Sequence, residues 1–481
     1  MKKQVYKTKK FLSKKILKRF LPAYHYLWGK LSALYFKSPS QKLIVVGITG
    51  TTGKTTSVYI MAQMLRGCGF KVGYTSTAMF SDGSSDWLND KKMTMLGRGF
   101  TQKMLRKMVK NKCQYAIVET TSEGVRQFRH KSINYDILVF TGLYPEHIES
   151  HGSFDKYKSA KQQLFKHLKA CSLKYLDSKG RVILNPAKLK KLELDKVKKT
   201  IIVNGDDQHA GDFLKFWAQE KIAYTRKSRT DFLQTLAQSH SKISKDITIL
   251  SYQDVLVSGQ GTSFKVDNKE IKLNLLGEFN AINSLNAVAL GVSRNICWDK
   301  IVDSLVDVGN IPGRLEQINE GQNFLTIVDY AFEPKALIKL YETIELIRDY
   351  PAISKSGKII HLLGSTGGGR DKSRRPELGK IAGMNADYVI ISNEDPYDED
   401  PLEIIKEVAE GAQSVGKELD KNLFNIIDRR EAIAKALSLA KAKDIVLFTG
   451  KGSEQAICLA NGQRQKWDER NVVREELKNI L

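Results

Sequence analysis

Ten residues from Gly47 to Thr56 (Gly-Ile-Thr-Gly-Thr-Thr-Gly-Lys-Thr-Thr) combine small, hydroxyl and cationic groups after a short apolar run, 42–46. Beyond them Val58, Met61, Met64 and Leu65 recur at helical spacing. Glycines in such a turn let the backbone approach an anion, and the helix N-terminus adds N–H donors and positive dipole. Gly50, Thr51, Thr52, Gly53, Lys54, Thr55 and Thr56 are therefore expected to cradle nucleotide phosphates. Lys54 would bridge the terminal phosphates and the Thr55 hydroxyl would ligate Mg2+. The generic spacing wants glycine six positions before Lys54, where Ile48 stands, so that pattern is met only in part.

Such a loop needs a strand before it and a helix after it. Strand patterns at 71–75, 115–119, 137–141 and 182–185, with a helical pattern at 154–168, predict an open, mostly parallel sheet wrapped by helices. Between 247 and 276 the texture changes to the alternation of antiparallel strands. A second α/β series follows at 325–330, 358–363, 387–391 and 444–448, with Pro312-Gly313 as a hinge. The expected fold is α/β: a central P-loop ATPase domain with antiparallel strands added, then a Rossmann-like C-terminal domain. Its divisions would be a leader at 1–42, a central domain at 43–311 and a C-terminal domain at 312–481.

The chain has 481 residues, with 77 Lys and Arg against 53 Asp and Glu, for a net charge of +24. Half of that excess lies in residues 1–42, which hold eleven lysines, one arginine and no acid. Leu12, Ile16, Leu17, Phe20 and Leu21 share one side of a helical wheel, with Lys14, Lys15, Lys18 and Arg19 opposite. A basic amphipathic helix followed by Tyr24, Trp28 and Tyr35 reads as a membrane-surface element. Packing of its apolar face on the protein and a nucleic-acid or targeting role are the other readings. Lysines interrupt any signal-peptide core, and no run of eighteen apolar residues offers a spanning helix. The five cysteines form no Cys-x-x-Cys pair, which excludes a zinc ribbon and fits a reducing cytosol.

Residues 47–56 closely resemble the ATP loop of the Mur ligases, which build the peptidoglycan stem peptide. Further blocks match in the same order. Glu119-Thr120-Thr121-Ser122 resembles the family's Glu-x-Ser-Ser, and 141–152 resembles its Thr-Asn-Leu…Asp-His-Leu-Asp…His-Gly. Tyr157…Ala160-Lys161 and Gly277…Asn280…Asn283 match as well, as do Pro312-Gly313-Arg314, 328–331, 367–372, Asp395-Pro396 and 450–454. The likeness spans roughly 43–481 and is strongest to the tripeptide-synthetase branch.

That resemblance implies an ATP-dependent ligase adding an amino acid to a muramyl-peptide carboxylate through an acyl phosphate, in peptidoglycan precursor synthesis. It implies that Lys54, Glu119, His147 and Lys161 are catalytic, with Glu119 and Thr55 on one Mg2+. His147 and Lys161 would serve a second, Lys161 after carbamylation into a carboxylate-like group. Unsupported by the family, a lone lysine on the 154–168 helix would read as a solvated charge. Asn283, Arg314 and Asp329 would contact adenine and ribose. Thr121, Ser122, Arg370, Glu394, Asp395, Tyr397, Gly450 and Glu454 would face the substrates, with Arg370 on the amino acid's carboxylate and Glu454 on its distal ammonium. The implied partners are an amino acid and a UDP- or lipid-linked muramyl peptide, in the cytoplasm or at the inner membrane surface through residues 1–38.

Four departures bear on substrate and metal details. Diaminopimelate-type enzymes carry Asp-Asn-Pro-Arg where Glu394-Asp395-Pro396-Tyr397 stands. Losing that arginine removes the partner of diaminopimelate's second carboxylate and makes lysine credible. Ser453 and Phe332 replace two family histidines, and Gly142 and Glu146 replace Asn and Asp near the metals. Some forty residues before the ATP loop are too few for the family's independent uridine-nucleotide domain, so a different mode of holding that end, or a lipid-linked acceptor, is expected. A sister ligase activity, such as D-alanyl-D-alanine addition or folylpolyglutamate synthesis, is an alternative. A nucleic-acid-associated P-loop ATPase would need a distributed basic stripe, which the leader-confined charge does not supply. A non-catalytic relative would not be expected to retain Lys54, Thr55, Glu119, His147 and Lys161 together.

Overall fold

The computed structural model describes residues 23–146, 151–184, 194–239, 246–348 and 356–481. The amphipathic pattern at 12–21, His147 and the end of the strand pattern at 182–185 lie outside them. Residues 23–35 are helical, with Tyr24, Leu27, Trp28, Leu31, Leu34 and Tyr35 all exposed. The chain divides into two compact units. One holds the described residues up to Trp87 together with Met93–Ser251 and Leu285–Ile301; the other holds Leu88–Lys92, Tyr252–Ser284 and Val302–Leu481.

The first unit is built on strands β1 (Ile44–Thr49), β2 (Val72–Thr75), β3 (Met79–Ser81), β4 (Asp86–Leu88), β5 (Tyr115–Glu119) and β6 (Ile137–Phe140). A small sheet of β7 (Lys174–Leu176), β8 (Val182–Ile183) and β9 (Asp195–Val197) follows. Then come β10 (Thr200–Asn204), β11 (Glu220–Thr225) and β12 (Thr248–Ser258), whose residues through Ser251 pair with β11. The main sheet runs β12-β11-β10-β6-β1-β5-β2-β3-β4, parallel from β12 to β2. The segment at 182–185 was expected to join this sheet. Its described part instead pairs antiparallel with β7, because the two-residue run Val182–Ile183 is only half-buried and cannot serve as a central parallel strand.

Parallel strands covered on both faces need continuous apolar runs, and every residue of β1, β5 and β6 is buried. Each large apolar side chain so placed contributes about 1.5–3 kcal/mol. β1 lies between β5 and β6, with Ile48 opposite Glu119 and Thr49 opposite Phe140. The chain therefore leaves all three strands at one edge. That puts the loop after β1, Glu119 and Thr141 side by side, where open α/β sheets bind ligands.

The helix Phe154–Leu168 starts on Ser153, whose hydroxyl accepts from the Lys156 N–H, and buries Tyr157, Ala160, Lys161, Leu164, Phe165 and Leu168. That is a helical stripe with a lysine inside it. Lys161 is buried, its spacing from Tyr157, Leu164 and Leu168 turning it inward, unlike the solvated charge that a lone lysine on this helix would be without the family context.

In the second unit β12 continues from Tyr252 and pairs antiparallel with β13 (Gly261–Val266), which pairs with β14 (Lys269–Leu273). A six-stranded sheet follows from β15 (Glu316–Gln317), β16 (Leu325–Val328), β17 (Ile359–Leu363), β18 (Tyr388–Ile391), β19 (Leu423–Asn425) and β20 (Ile445–Phe448). Its order is β15-β16-β20-β17-β18-β19, parallel except for β15. Alternate residues build its two cores, Ile327, Leu363, Val389 and Leu447 in one and Val328, Leu362, Ile390 and Phe448 in the other. Strands β21 (Ala456–Cys458) and β22 (Arg464–Lys466) form a hairpin. Insertion of β20 between β16 and β17 brings the turns after β16, β20, β17 and β18 together, although up to 120 positions separate them in sequence. Asp329, Gly450, Arg370 and Asp395 all leave from this edge.

Candidate functional site

In the first unit the loop after β1 closes on itself and on β6. Gly53 takes a left-handed φ of 77° and caps the helix Lys54–Gly67. The Thr51 N–H donates to the Gly142 carbonyl at 2.9 Å, and the Thr141 hydroxyl donates to the Thr52 carbonyl at 2.6 Å. A Cβ on Gly50 would come within 1.9 Å of that Thr141 hydroxyl, so only glycine lets the loop pass.

Two lysines meet under this loop. Lys54 Nζ donates to the carbonyls of Gly50 (3.0 Å) and Thr51 (2.6 Å), and Lys161 Nζ donates to the same Gly50 carbonyl at 2.7 Å. Lys161 is 1 % exposed and lies 4.4 Å from the Tyr157 ring centroid. Burial, with the Lys54 charge beside it, holds its pKa well below the ordinary lysine range, against the pull of Glu146 and Glu119.

Glu119, at the end of β5, accepts from the Thr55 hydroxyl at 3.0 Å. The Thr77 N–H and hydroxyl hold the same carboxylate at 2.8 and 3.0 Å. Thr55 and Glu119 are thus a buried pair of hard oxygens beside the phosphate loop, the donor set Mg2+ takes when nucleotide phosphates complete its shell. Among the described residues no three His, Cys, Asp or Glu side chains gather as a metal site.

The Thr121 hydroxyl caps the helix Ser122–Arg126 by accepting from the Gly124 N–H. Ser122 Oγ lies 3.1 Å from His151 Nε2, the His151 ring packs on Tyr157, and the Tyr157 hydroxyl donates to Thr51 Oγ1 at 3.4 Å. One chain of contacts therefore ties the 119–122 block to the phosphate loop. His147 belongs to the undescribed residues. Thr77 and His151 were not singled out from the sequence. His151 stood within a quoted block; Thr77 carries no local signal.

The second unit holds two groups. Asp329 spends both carboxylate oxygens on backbone N–H groups, those of Leu315 and Ala331, at 2.7 Å each. Burial pushes its pKa up while the Arg314 guanidinium opposes the shift. Arg314 stacks 4.3 Å over the Tyr330 ring. Asn283 donates to Asn280 Oδ1 at 3.3 Å.

The other group centres on Asp395 and Glu454. Lys451 Nζ donates to Asp395 Oδ1 (3.0 Å), Glu454 Oε2 (2.8 Å) and the Ala456 carbonyl (2.8 Å). Lys92 Nζ reaches the same two carboxylates at 2.5 and 2.7 Å. The Tyr330 hydroxyl donates to Glu454 Oε1 at 3.2 Å, and the Cys458 N–H to Asp395 Oδ1 at 2.7 Å. Burial acts against the Asp395 charge, but Lys451 and Lys92 more than offset it and hold its pKa low.

Glu394 is buried with Oε2 lacking a hydrogen-bond partner, and burial raises its pKa. That oxygen lies 2.4 Å from where a Cβ on Gly450 would be, and Gly450 has a φ of 98°, so glycine is required there on both counts. Tyr397 has a φ of 53°, and burial beside Asp395 pushes its pKa up to about 12. Arg370 is exposed, its charge felt at Tyr397. Of the sequence-based candidates, Asp395 and Glu454 share a cluster, with Glu394 against Gly450 and Tyr397 and Arg370 nearby. Lys451 lay inside the 450–454 block but was not assigned; Lys92 lies in an unremarkable Asp-Lys-Lys turn.

Residues 48–291 match the family model described as the Mur ligase middle domain, and 313–452 match the Mur ligase glutamate ligase domain. A UDP-N-acetylmuramyl-tripeptide synthetase of Treponema denticola is 34% identical over 454 residues, covering 93% of this chain and 79% of its own. One from Roseiflexus sp. (strain RS-1) is 31% identical over 458 residues, covering 94% of this chain and 81% of its own. A solved UDP-N-acetylmuramoyl-L-alanyl-D-glutamate–2,6-diaminopimelate ligase superposes with a TM-score of 0.56 at 24% identity, covering 91% of this chain and 79% of its own. The phosphate loop, the Thr55–Glu119 pair and the Asp395–Glu454 cluster thus stand in a chain that belongs to the Mur ligase family.

Proposed function

We propose that this chain joins a muramyl-peptide carboxylate to the amine of an amino acid at the expense of ATP, in peptidoglycan precursor synthesis. The observation that carries this reading is the meeting of Lys54, Lys161 and the Thr55–Glu119 pair at one loop. Two anions must approach each other for a carboxylate to attack a phosphate, so cations and fixed dipoles have to cluster there. The 43–311 segment is read as the ATP domain and 312–481 as the amino-acid domain.

The substrate carboxylate oxygen attacks the γ-phosphorus and ADP leaves, giving an acyl phosphate. The amino acid's neutral amine then attacks the acyl carbon, phosphate departs with the C–O bond, and the amine loses its proton. Gly50 to Thr56 bind and orient the phosphates, with Lys54 neutralising the oxygens that gain charge. Mg2+ held by Thr55 and Glu119 supplies further neutralisation when bound. Lys161, whose pKa burial lowers, would add as its neutral amine to CO2 with loss of one proton, and the carbamate, with His147, would hold a second cation. Asn283, Arg314 and Asp329 are read as the adenine and ribose contacts. Thr121, Ser122, Arg370, Glu394, Asp395, Tyr397, Gly450 and Glu454 are read as substrate residues. The absence of an arginine at 397 favours an amino acid without a second carboxylate, such as lysine.

Exposed Tyr24, Leu27, Trp28, Leu31 and Leu34 beside a leader of twelve cations and no acids support peripheral docking on an anionic membrane surface, at the cytoplasmic side. Among the described residues no helix is long and apolar enough to cross a membrane. Such docking would bring a lipid-linked acceptor within reach; the alternative is that the uridine end is held differently. Sedimentation with anionic vesicles before and after removal of 1–38 tests it, and unchanged partitioning removes the docking idea. The ligase reading is tested by phosphate release with ATP, Mg2+ and UDP-muramyl-dipeptide, each amino acid being offered in turn. Silence with all of them, beside turnover on a lipid-linked acceptor, reassigns the acceptor; silence with both defeats the reading.

A further inference from the structure

The segment Leu88–Lys92 belongs to the second unit, and its last side chain ends inside the carboxylate cluster. Lys92 is held there at a double cost. Its side chain is 6% exposed, and its backbone has a φ of 50°, the left-handed region that a lysine rarely adopts. What that buried ammonium meets is the pair of carboxylates, Asp395 and Glu454.

Those carboxylates do not need Lys92 to be satisfied. Asp395 keeps Lys451 and the Cys458 N–H, while Glu454 keeps Lys451 and the Tyr330 hydroxyl. Lys451 is built in, fully buried, with its three donors assigned to Asp395, Glu454 and the Ala456 carbonyl. Without Lys92 the two carboxylates face one ammonium, leaving a net negative pocket shaped for a second. We propose that Lys92 is an internal stand-in for the side-chain ammonium of the incoming amino acid, filling that position until the amino acid displaces it. This rests on the reading of the cluster as the amino-acid pocket.

The consequence is a selection rule. An amino acid ending in a primary ammonium replaces Lys92 charge for charge and hydrogen bond for hydrogen bond. A neutral side chain leaves the carboxylates short of a cation once Lys92 is out, and an acidic one adds repulsion. The class selected is therefore a linear diamino acid without a distal carboxylate, such as lysine or ornithine. Because the pocket is competed for internally, the apparent affinity falls with the fraction of time it is open. If Lys92 fills it nine-tenths of the time, the affinity is lowered about tenfold.

The test uses the full chain and its Lys92→Met and Lys92→Arg variants, with L-lysine, L-ornithine, L-alanine and meso-diaminopimelate as probes. Calorimetric binding and the KM for each amino acid are read alongside the KM for ATP. Lys92→Met is expected to lower the Kd and KM for lysine by about tenfold and to leave the ATP KM unchanged. Lys92→Arg, which keeps the cation, is expected to stay close to the parent. An unchanged or higher lysine KM in Lys92→Met, or an equal gain for alanine, overturns the proposal. If parent and variant release phosphate with none of the four and bind none of them, the amino-acid assignment itself falls, and the stand-in with it.

Discussion

Lys54 and Lys161 donate to the same oxygen, the carbonyl of Gly50, at 3.0 and 2.7 Å. Lys161 is the buried one, and burial and the Lys54 charge both lower its pKa. The arrangement has a chemical meaning, because a neutral amine is the form that adds to CO2.

Removing CO2 from the buffer should therefore lower ligase turnover, and bicarbonate should restore it. With 13C-bicarbonate a carbamate resonance is expected in the parent and absent in Lys161→Arg, whose guanidinium stays protonated. Turnover in Lys161→Arg should fall by about 100- to 1,000-fold, the scale seen when one preorganised electrostatic group is lost. A full-strength Lys161→Arg enzyme ends the carbamate idea.

The Thr55–Glu119 pair predicts a metal dependence. Glu119→Gln keeps the shape and the acceptor for Thr55 but removes the charge. Its Mg2+ requirement should shift to higher concentration, with kcat down about 100-fold and nucleotide binding without metal little changed. Titrating Mg2+ against phosphate release checks this; an unshifted midpoint places the metal elsewhere.

The glycine-rich turn after β1 and the end of β5 at Glu119 were legible because each is a local pattern at the end of an apolar run, and parallel strands end where their apolar runs end. Family context singled out Lys161, but its burial was not legible, since burial of a lysine depends on neighbours such as Tyr157 and Leu164 that a helical pattern does not weigh against a solvated stem. Lys92 was invisible. Its partners Asp395 and Glu454 are more than 300 positions away, and nothing local in Asp-Lys-Lys announces a buried ammonium. The strand at 182–185 misled because a short apolar run beside a turn satisfies a parallel and an antiparallel pairing equally well.

Far from the phosphate loop in sequence, Asp136 predicts a stability effect with no catalytic role. Its carboxylate takes Lys174 at 2.5 Å, Lys199 at 2.8 Å and the Val45 N–H at 2.9 Å, and all three side chains are 0% exposed. Burial lowers Lys174 to about 8 even with Asp136 present. Asp136→Asn strands two ammoniums without a counter-charge and should cost about 3–5 kcal/mol. Lys174→Met leaves the Asp136–Lys199 pair neutral and should cost far less. Urea unfolding at pH 7 ranks the two, and a mild Asp136→Asn contradicts this account.

Acid stability turns on three imidazoles that are buried without charge. Burial lowers His130 to about 3, His167 to about 4 and His361 to about 3. In the unfolded chain each titrates near 6.5. The unfolded state therefore binds more protons than the folded one below that value. The stabilisation is fully present above pH 6.5 and is lost as pH falls toward 4 and then 3, each ring contributing up to about 1.4 kcal/mol per pH unit. Most carboxylates have yet to protonate between pH 6 and 5, so that interval isolates the rings. His361 is held between the Tyr341 hydroxyl (2.8 Å) and Thr449 Oγ1 (2.9 Å), and replacing it would orphan both. His130 is the cleaner probe, since neither of its ring nitrogens has a hydrogen-bond partner and its ring stands edge-on to His167 at 5.3 Å. His130→Phe should flatten the fall in unfolding free energy between pH 6 and 5 by about 1 kcal/mol, with little change at pH 8. An identical slope in parent and variant would mean that His130 is protonated in the folded protein despite its burial.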